Sequence, residues 1–490
     1  MKKFEALQNY LKKVDEKNYL ITMLYWEMDT ICPPKALDYL VEIKTKLETE
    51  VFELSTSRDY IQLLNDIYFD ESGEYDSLTE GQKKFILTEI EHYKKQSRVS
   101  SEFFENYMNT IASSKIAWKE AKEKKDFSIF KEHLIEVANQ TKEYFKIMNP
   151  DSDNLYDEML NEYTRGMKMQ DIDPLFEELK REIIPIIKNL QPKELDQGEK
   201  TDEVSLINAG KFLLNYIGFD NDRGALGIYP HGYTTGLCKD DVRIAFDKDA
   251  PVYDFAATII HEGGHGIFDQ SYGEDLRECP TYNVCTMGLH ESQSRFMENI
   301  LGRNKNFWIP IYDEFKAMTG ITDDLDMFMD RLNNARPSLI RTMADELTYC
   351  LHIIIRYEIE RDLFSDKIKA EDLPAIWNAK YKEYLGVDVP NDAEGVMQDV
   401  HWSEGSFGYF PSYLLGSILD GMLLDTIEDE FGDVDTVLRE GRVKEITQFL
   451  QENIHQYGET YDFKEVAERV CDSKLTVEPL VRYFTKKYSR

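Results

Sequence analysis

The string His261-Glu262-Gly263-Gly264-His265, flanked by Phe255-Ala256-Ala257-Thr258-Ile259-Ile260 and Ile267-Phe268, restricts this chain more than any other stretch. On an α-helix, residues four apart lie one above the other, so both imidazoles face the same way. Glu262 lies about 100° round the same turn, within reach of whatever the histidines hold. Gly263, Gly264 and Gly266 each cost an isolated helix roughly 1 kcal/mol against alanine. So many glycines in one turn predict that another backbone or a substrate approaches that face closely. The apolar flanks predict burial. Two stacked imidazoles beside a carboxylate form the H-E-x-x-H pattern of a divalent-metal site. With only 9 histidines in 490 residues, chance is a poor explanation for it.

A catalytic site of this kind uses three protein ligands. The spacing that supplies a third histidine in one zinc-protease class is excluded, because its glycine and histidine positions are Phe268 and Ser271 here. The candidates are therefore the later carboxylates Glu274, Asp275, Glu278, Glu291 and Glu298. Ser271 to Asn283, with Gly273 and Pro280, reads as a break that turns the chain back, and Val284 to Leu301 as the helix that follows. Glu291, near the middle of that helix, is the preferred ligand, with Glu298 second.

Elsewhere the periodicity is helical. Phe4, Leu7, Leu11 and Val14 recur at helix spacing, as do Leu40, Ile43, Leu47, Val51 and Leu54. Polar breaks at Asp70 to Gly81, Asn149 to Asn154 and Gln191 to Asp202 predict loops. Between about 222 and 254 glycines punctuate short stretches, and Val242, Ile244 and Phe246 alternate with other residues, which predicts a small hairpin or sheet. Helix is expected to resume near Pro251 and persist to the end, interrupted at Gly405 to Pro411. The fold class expected is mainly α.

Lys plus Arg is 58 against 92 for Asp plus Glu, a balance of 58 minus 92, or -34, which disfavours nucleic acid and anionic membranes as partners. No run approaches the ~20 apolar residues of a membrane span. Met1 to Tyr10 lacks an apolar secretory region. Cys32, Cys238, Cys279, Cys285, Cys350 and Cys471 are scattered without a C-x-x-C pair and are expected as reduced thiols. Together these predict a cytoplasmic protein.

Five ordered strings resemble the motifs of the thermostable, or Taq-type, metallocarboxypeptidases: Asp241-Val242-Arg243-Ile244-Ala245, His261 to His265, His290-Glu291-Ser292-Gln293-Ser294, Ile340-Arg341-Thr342-Met343-Ala344-Asp345, and Gly395 to Trp402. Trp26 to Pro34 and Tyr156 to Pro185 also resemble that family. Ala245 departs from it, since the family usually has threonine there. The resemblance implies a single helical unit over 1–490, with one cleft and a small β-sheet next to the 261–265 helix. Residues 1–200 would form a helical half covering the cleft, and 201–490 the catalytic half. It also implies a homodimer that removes single residues from free peptide C-termini with broad side-chain tolerance. His261, His265 and Glu291 match the family's metal ligands and Glu262 its general base. Zinc is the expected ion, with cobalt the alternative.

Such chemistry needs donors for a developing oxyanion. The Gly-interrupted aromatic segment from His401 to Tyr413 offers His401 and Tyr409, with Tyr413 as a substrate-binding alternative. A free carboxylate calls for an arginine fork, and Arg243 and Arg341 are the motif arginines. Locally, Arg243 could instead pair with Asp241, and Arg341 with Asp345. The role of His290 is left open. A zinc oligoendopeptidase cleaving internal bonds of short peptides is the competing reading, since the same groups serve both reactions.

Overall fold

The computed structural model describes residues 2–70, 72–277, 279 and 287–489. Glu278, one of the carboxylate candidates, and Cys285 lie outside the described residues.

Helices α1 (Lys2–Thr30), α2 (Leu37–Ser55), α3 (Arg58–Tyr68), α4 (Glu80–Gln96), α5 (Ser101–Lys124), α6 (Phe127–Met148), α7 (Leu155–Tyr163), α8 (Met169–Lys188) and α9 (Glu203–Ile217) precede the sheet. The predicted loops end where capping side chains stand. Thr79 and Gln82 form a capping box at α4, Asn154 caps α7 and Asp202 caps α9, each contributing about 1 kcal/mol. α1 buries Phe4, Leu7, Leu11 and Val14. The corresponding stripe of α2 is only half-buried, facing α1.

Strands β1 (Gly224–Ile228), β2 (Tyr233–Cys238) and β3 (Asp241–Phe246) form a sheet in the order β1-β3-β2. β2 and β3 are an antiparallel hairpin, and β1 runs parallel to β3. Val242, Ile244 and Phe246 are buried as their alternation predicts, and Ala245 is buried with them.

Helix α10 (Val252–Gln270) lies across this sheet and carries the glycine-rich string. α11 (Met287–Arg295) crosses it and widens into a π-helical segment over Phe296–Gly302. A Cβ on Gly264 would stand 2.7 Å from both Gln293 O and Ser294 Cα, so these two helices touch backbone to backbone. Gly263 faces Ile217 and Leu214 of α9, and Gly266 faces Phe219. The glycines thus admit neighbouring protein elements rather than a substrate.

Beyond it come α12 (Lys305–Trp308), α13 (Tyr312–Thr319), α14 (Leu325–Leu332), α15 (Glu346–Phe364), α16 (Leu373–Tyr384), α17 (Phe410–Phe431), α18 (Val434–Arg439), α19 (Val443–Asn453), α20 (Phe463–Cys471) and α21 (Glu478–Tyr488). The expectation of helix with one interruption needs correcting. Residues 333–345 and 385–400 are also largely non-helical. Pro337 in the first, and Gly386, Pro390 and Gly395 in the second, remove donors or favour turns.

One contiguous apolar core joins residues from Ala121 to Phe484, uniting α6, α8 and α9 with the second half of the chain. A smaller cluster joins Phe4, Leu7, Leu64, Phe85 and Ile90 to Leu276 and Cys279. α15 is buried from Glu346 to Glu360, so it carries charged side chains into the interior. Among the described residues no helix is long and apolar enough to cross a membrane.

Candidate metal centre and substrate cavity

His261 and His265 leave one face of α10, and Glu291 leaves α11 opposite them. Their Nε2 atoms lie 4.0 and 3.5 Å from Glu291 Oε2, and one donor atom from each residue falls within 4.8 Å of the others. Tetrahedral zinc ligands stand roughly 3.3 Å apart, so this donor set fits one small divalent ion. Electrostatics agree. Burial disfavours charge on His261, but the carboxylates of Glu298, Glu291 and Glu262 outweigh it and push its pKa up to about 9. Burial also works against the Glu291 carboxylate, yet His265, His261 and Arg295 hold it below its ordinary range. Surplus negative charge in a half-dry pocket is what a divalent cation neutralises.

The outer nitrogens are held too. His261 Nδ1 is 3.0 Å from Glu298 Oε2, and Arg303 Nη2 donates to the other Glu298 oxygen at 2.7 Å. Glu298, the second-choice ligand, therefore orients a histidine from behind. His265 Nδ1 is 2.5 Å from His290 Nδ1, and His290 Nε2 is 2.9 Å from Asp269 Oδ1. With Asp269 accepting from Nε2–H, His290 Nδ1 accepts from His265 Nδ1–H. That tautomer leaves the His265 Nε2 lone pair facing Glu291, and it gives His290 a place. Thr234 on β2 donates to Glu262 Oε2 at 2.7 Å. Gly232, where a Cβ would collide with Thr258, lets that strand lie close to α10.

These residues line a cavity of about 1830 Å³ that also includes Arg341, His401, Tyr409 and Tyr413. Arg341 Nε donates to Asp399 Oδ1 at 2.9 Å and Nη1 to the Tyr349 hydroxyl at 2.8 Å. The local pair with Asp345 does not form, because Asp345 accepts from Leu347 N and Thr348 N as the cap of α15. Arg356 shares Asp399 at 2.6 Å. No group among the described residues accepts from Arg341 Nη2, which leaves it for a ligand.

Arg243 is not brought to the cavity. Its Nε and Nη2 donate to Asp241 at 2.9 and 2.8 Å, and Asp241 also accepts from Tyr19 at 2.8 Å. The pair ties β3 to α1, and it is the local Asp241 alternative, not a fork facing the cavity, that Arg243 adopts here.

His401 Nδ1 is buried without a hydrogen-bond partner. Burial, joined by Arg341 and Arg356 against the pull of Asp399, pushes its pKa down to about 4, so the imidazole is neutral near pH 7. Its ring centre is 5.2 Å from that of Tyr409, and Tyr409 is 5.3 Å from Tyr413. Burial raises the Tyr409 pKa, and a hydrogen bond with Tyr413 opposes the rise.

Sequence reasoning did not single out Thr234, Asp269, Arg303, Tyr349 or Asp399. Asp269 had a local signal, standing four residues after His265 on the same face of α10, and Asp399 lies inside the Gly395 to Trp402 string, two residues before His401. The others reach the site from distant segments.

A family model described as carboxypeptidase Taq (M32) metallopeptidase matches residues 6–488. Carboxypeptidase 1 of Bacillus subtilis (strain 168) is 34% identical over 98% of this chain and 96% of its own length. Thermostable carboxypeptidase 1 of Pyrococcus furiosus is 29% identical over 95% of this chain and 94% of its own. The crystal structure of an M32 carboxypeptidase from Deinococcus radiodurans R1 matches with a TM-score of 0.93 at 26% identity, covering 100% of this chain and 99% of that one. These likenesses favour the carboxypeptidase over the oligoendopeptidase reading. Matched almost from end to end in sequence and fold, the chain belongs to the carboxypeptidase Taq (M32) family and is a metal-dependent carboxypeptidase that acts on peptides.

Proposed function

We propose that His261, His265 and Glu291 hold one zinc ion, or cobalt in its place, and that the enzyme releases single residues from free peptide C-termini with broad side-chain tolerance. The observation that carries this reading is the convergence of three donor atoms within 4.8 Å, beside a Glu262 that is anchored by Thr234. The ion, when bound, supplies Lewis acidity that polarises the scissile carbonyl and acidifies water. Glu262, held through Oε2, takes the proton of the attacking water on Oε1 and passes it to the leaving amine. The neutral imidazole of His401 and the Tyr409 hydroxyl, both on the cavity wall, donate to the developing oxyanion. Arg341 Nη2, with Tyr413 beside it, receives the terminal carboxylate. Arg243 has no part in this clamp.

The reading extends to the whole chain as one catalytic unit, with α1 contributing Asp15, Asn18, Ile21 and Thr22 to the cavity wall. It includes a cytoplasmic location, supported by free thiols at Cys32, Cys238, Cys279, Cys350 and Cys471, and the homodimer of the family resemblance, which sedimentation checks. The central test combines metal analysis with mass spectrometry of digested peptides. One ion per chain and stepwise loss of single C-terminal residues are expected, and a C-terminal amide should block hydrolysis. Glu262→Gln should keep the metal and lose about 10²–10⁴ in kcat. Cleavage of amidated peptides at internal bonds would overturn the exopeptidase reading.

A further inference from the structure

Glu360, on α15, is a 0% exposed carboxylate outside the metal centre. It makes no ion pair among the described residues; three neutral donors surround it. The Tyr156 hydroxyl donates to Oε2 at 2.9 Å, the backbone N–H of Gly408 to the same oxygen at 2.8 Å, and the Trp402 indole N–H to Oε1 at 2.6 Å. A buried anion is costly and persists only with such compensation. Here burial outweighs the donors and pushes the pKa up to about 7.

Two of the donors belong to one functional segment. Trp402 directly follows His401, and Gly408 directly precedes Tyr409. Gly408 has φ +87°, and a Cβ on it would come within 2.7 Å of the Met159 carbonyl carbon, so the loop is pressed against the backbone of α7. One carboxylate thus grips both ends of the His401–Tyr409 loop, an oxygen at each end, and braces it on α7 through Tyr156.

We propose that Glu360 is the positioning residue for the two substrate-facing donors, latching Trp402 and Gly408 so that His401 and Tyr409 are presented together to the cavity. The inference rests on the reading that His401 and Tyr409 act on the substrate. Glutamine is nearly isosteric but has only one acceptor oxygen. Its amide group must face either the indole N–H or the Gly408 N–H, and one latch opens.

The test is a double-mutant cycle on the metal-loaded enzyme with an N-blocked peptide of free C-terminus. Glu360→Gln should lower kcat by about 10- to 100-fold, as small misplacements of catalytic groups do, with KM and metal content little changed. In a background carrying both Tyr409→Phe and His401→Gln the same substitution should cost less than about threefold, because both positioned groups are already gone, and in either single background it should cost less than in the parent. Wild-type kcat in Glu360→Gln, or an equal fold-loss in every background, would overturn the proposal while leaving the donor roles intact. Wild-type kcat in both Tyr409→Phe and His401→Gln would overturn the donor reading, and the latch with it. If Glu360→Gln fails to fold, Trp402→Phe removes a single latch and is held to the same outcomes.

Discussion

Gly264→Ala sets two physical effects against each other, and the structure decides the sign. Helix propensity alone predicts that alanine stabilises α10 by about 1 kcal/mol. Against this, the new Cβ would stand 2.7 Å from the backbone of Gln293 and Ser294, where ordinary contact begins at 3.4 Å, so the helices must part by 3.4 minus 2.7, or 0.7 Å. Backbone atoms cannot rotate away as a side-chain tip can. Overpacking of this kind costs about 1–3 kcal/mol, and placing two backbone atoms so close argues for the upper end. The net expectation is a loss of about 2 kcal/mol. With about 2.1 cal/mol/K of unfolding entropy per residue over 490 residues, that is a fall in Tm of roughly 2 °C. The functional effect should be larger. The displaced backbone lies two and three residues from Glu291, and moving a ligand by most of an ångström can cost about 100-fold in activity. Gly263→Ala is the control, because its Cβ meets only the side-chain ends of Ile217 and Leu214. Metal content after chelator challenge, Tm and kcat/KM of the two variants form the assay. A Gly264→Ala protein with raised Tm and unchanged metal retention and kcat/KM would refute the backbone-contact argument.

His290→Ala should weaken metal affinity by about 10- to 100-fold, as loss of the outer partner of a liganding histidine does, and chelator competition measures it. Unchanged affinity would mean that His290 does not orient His265. The His401 pKa of about 4 lies below the ordinary histidine value of 6.5, so its contribution to stability is complete above pH 6.5 and is lost as pH falls towards 4. His401→Gln should therefore lose less Tm than the parent between pH 7 and pH 5. His455, pushed down to about 3 by burial, has the same sign and keeps the acid limb from vanishing. At a net charge of -34 the protein repels an anionic peptide terminus, so KM for short peptides should fall between very low and moderate salt. A KM that only rises with added salt would show that local arginine contacts dominate the field.

What the sequence by itself determined is chemistry local to one element. Spacing puts His261, His265 and Glu262 on neighbouring faces of one helix, because i and i+4 side chains must stack wherever the chain is helical. Capping residues mark loop ends for the same local reason, and alternation marks β3. Five ordered strings were enough to suggest the family. Only the tertiary structure decided matters that depend on which distant segments meet. Glu291 and Glu298 look alike in sequence, yet one faces the paired Nε2 atoms and the other stands behind His261, since Glu298 lies on the π-helical turn. Arg243 and Arg341 both sit in motif strings. Arg243 spends its fork on an aspartate two residues away, whereas Arg341 is carried into the cavity at the start of a short 3-10 turn and held by Asp399, 58 residues on. The glycines signalled a close approach, but only packing identified the neighbour as the backbone of α11. Glu360 had no signal at all. Hydrogen bonds across 42, 48 and 204 residues give it meaning, and such contacts exist only once burial has chosen which surfaces exclude water.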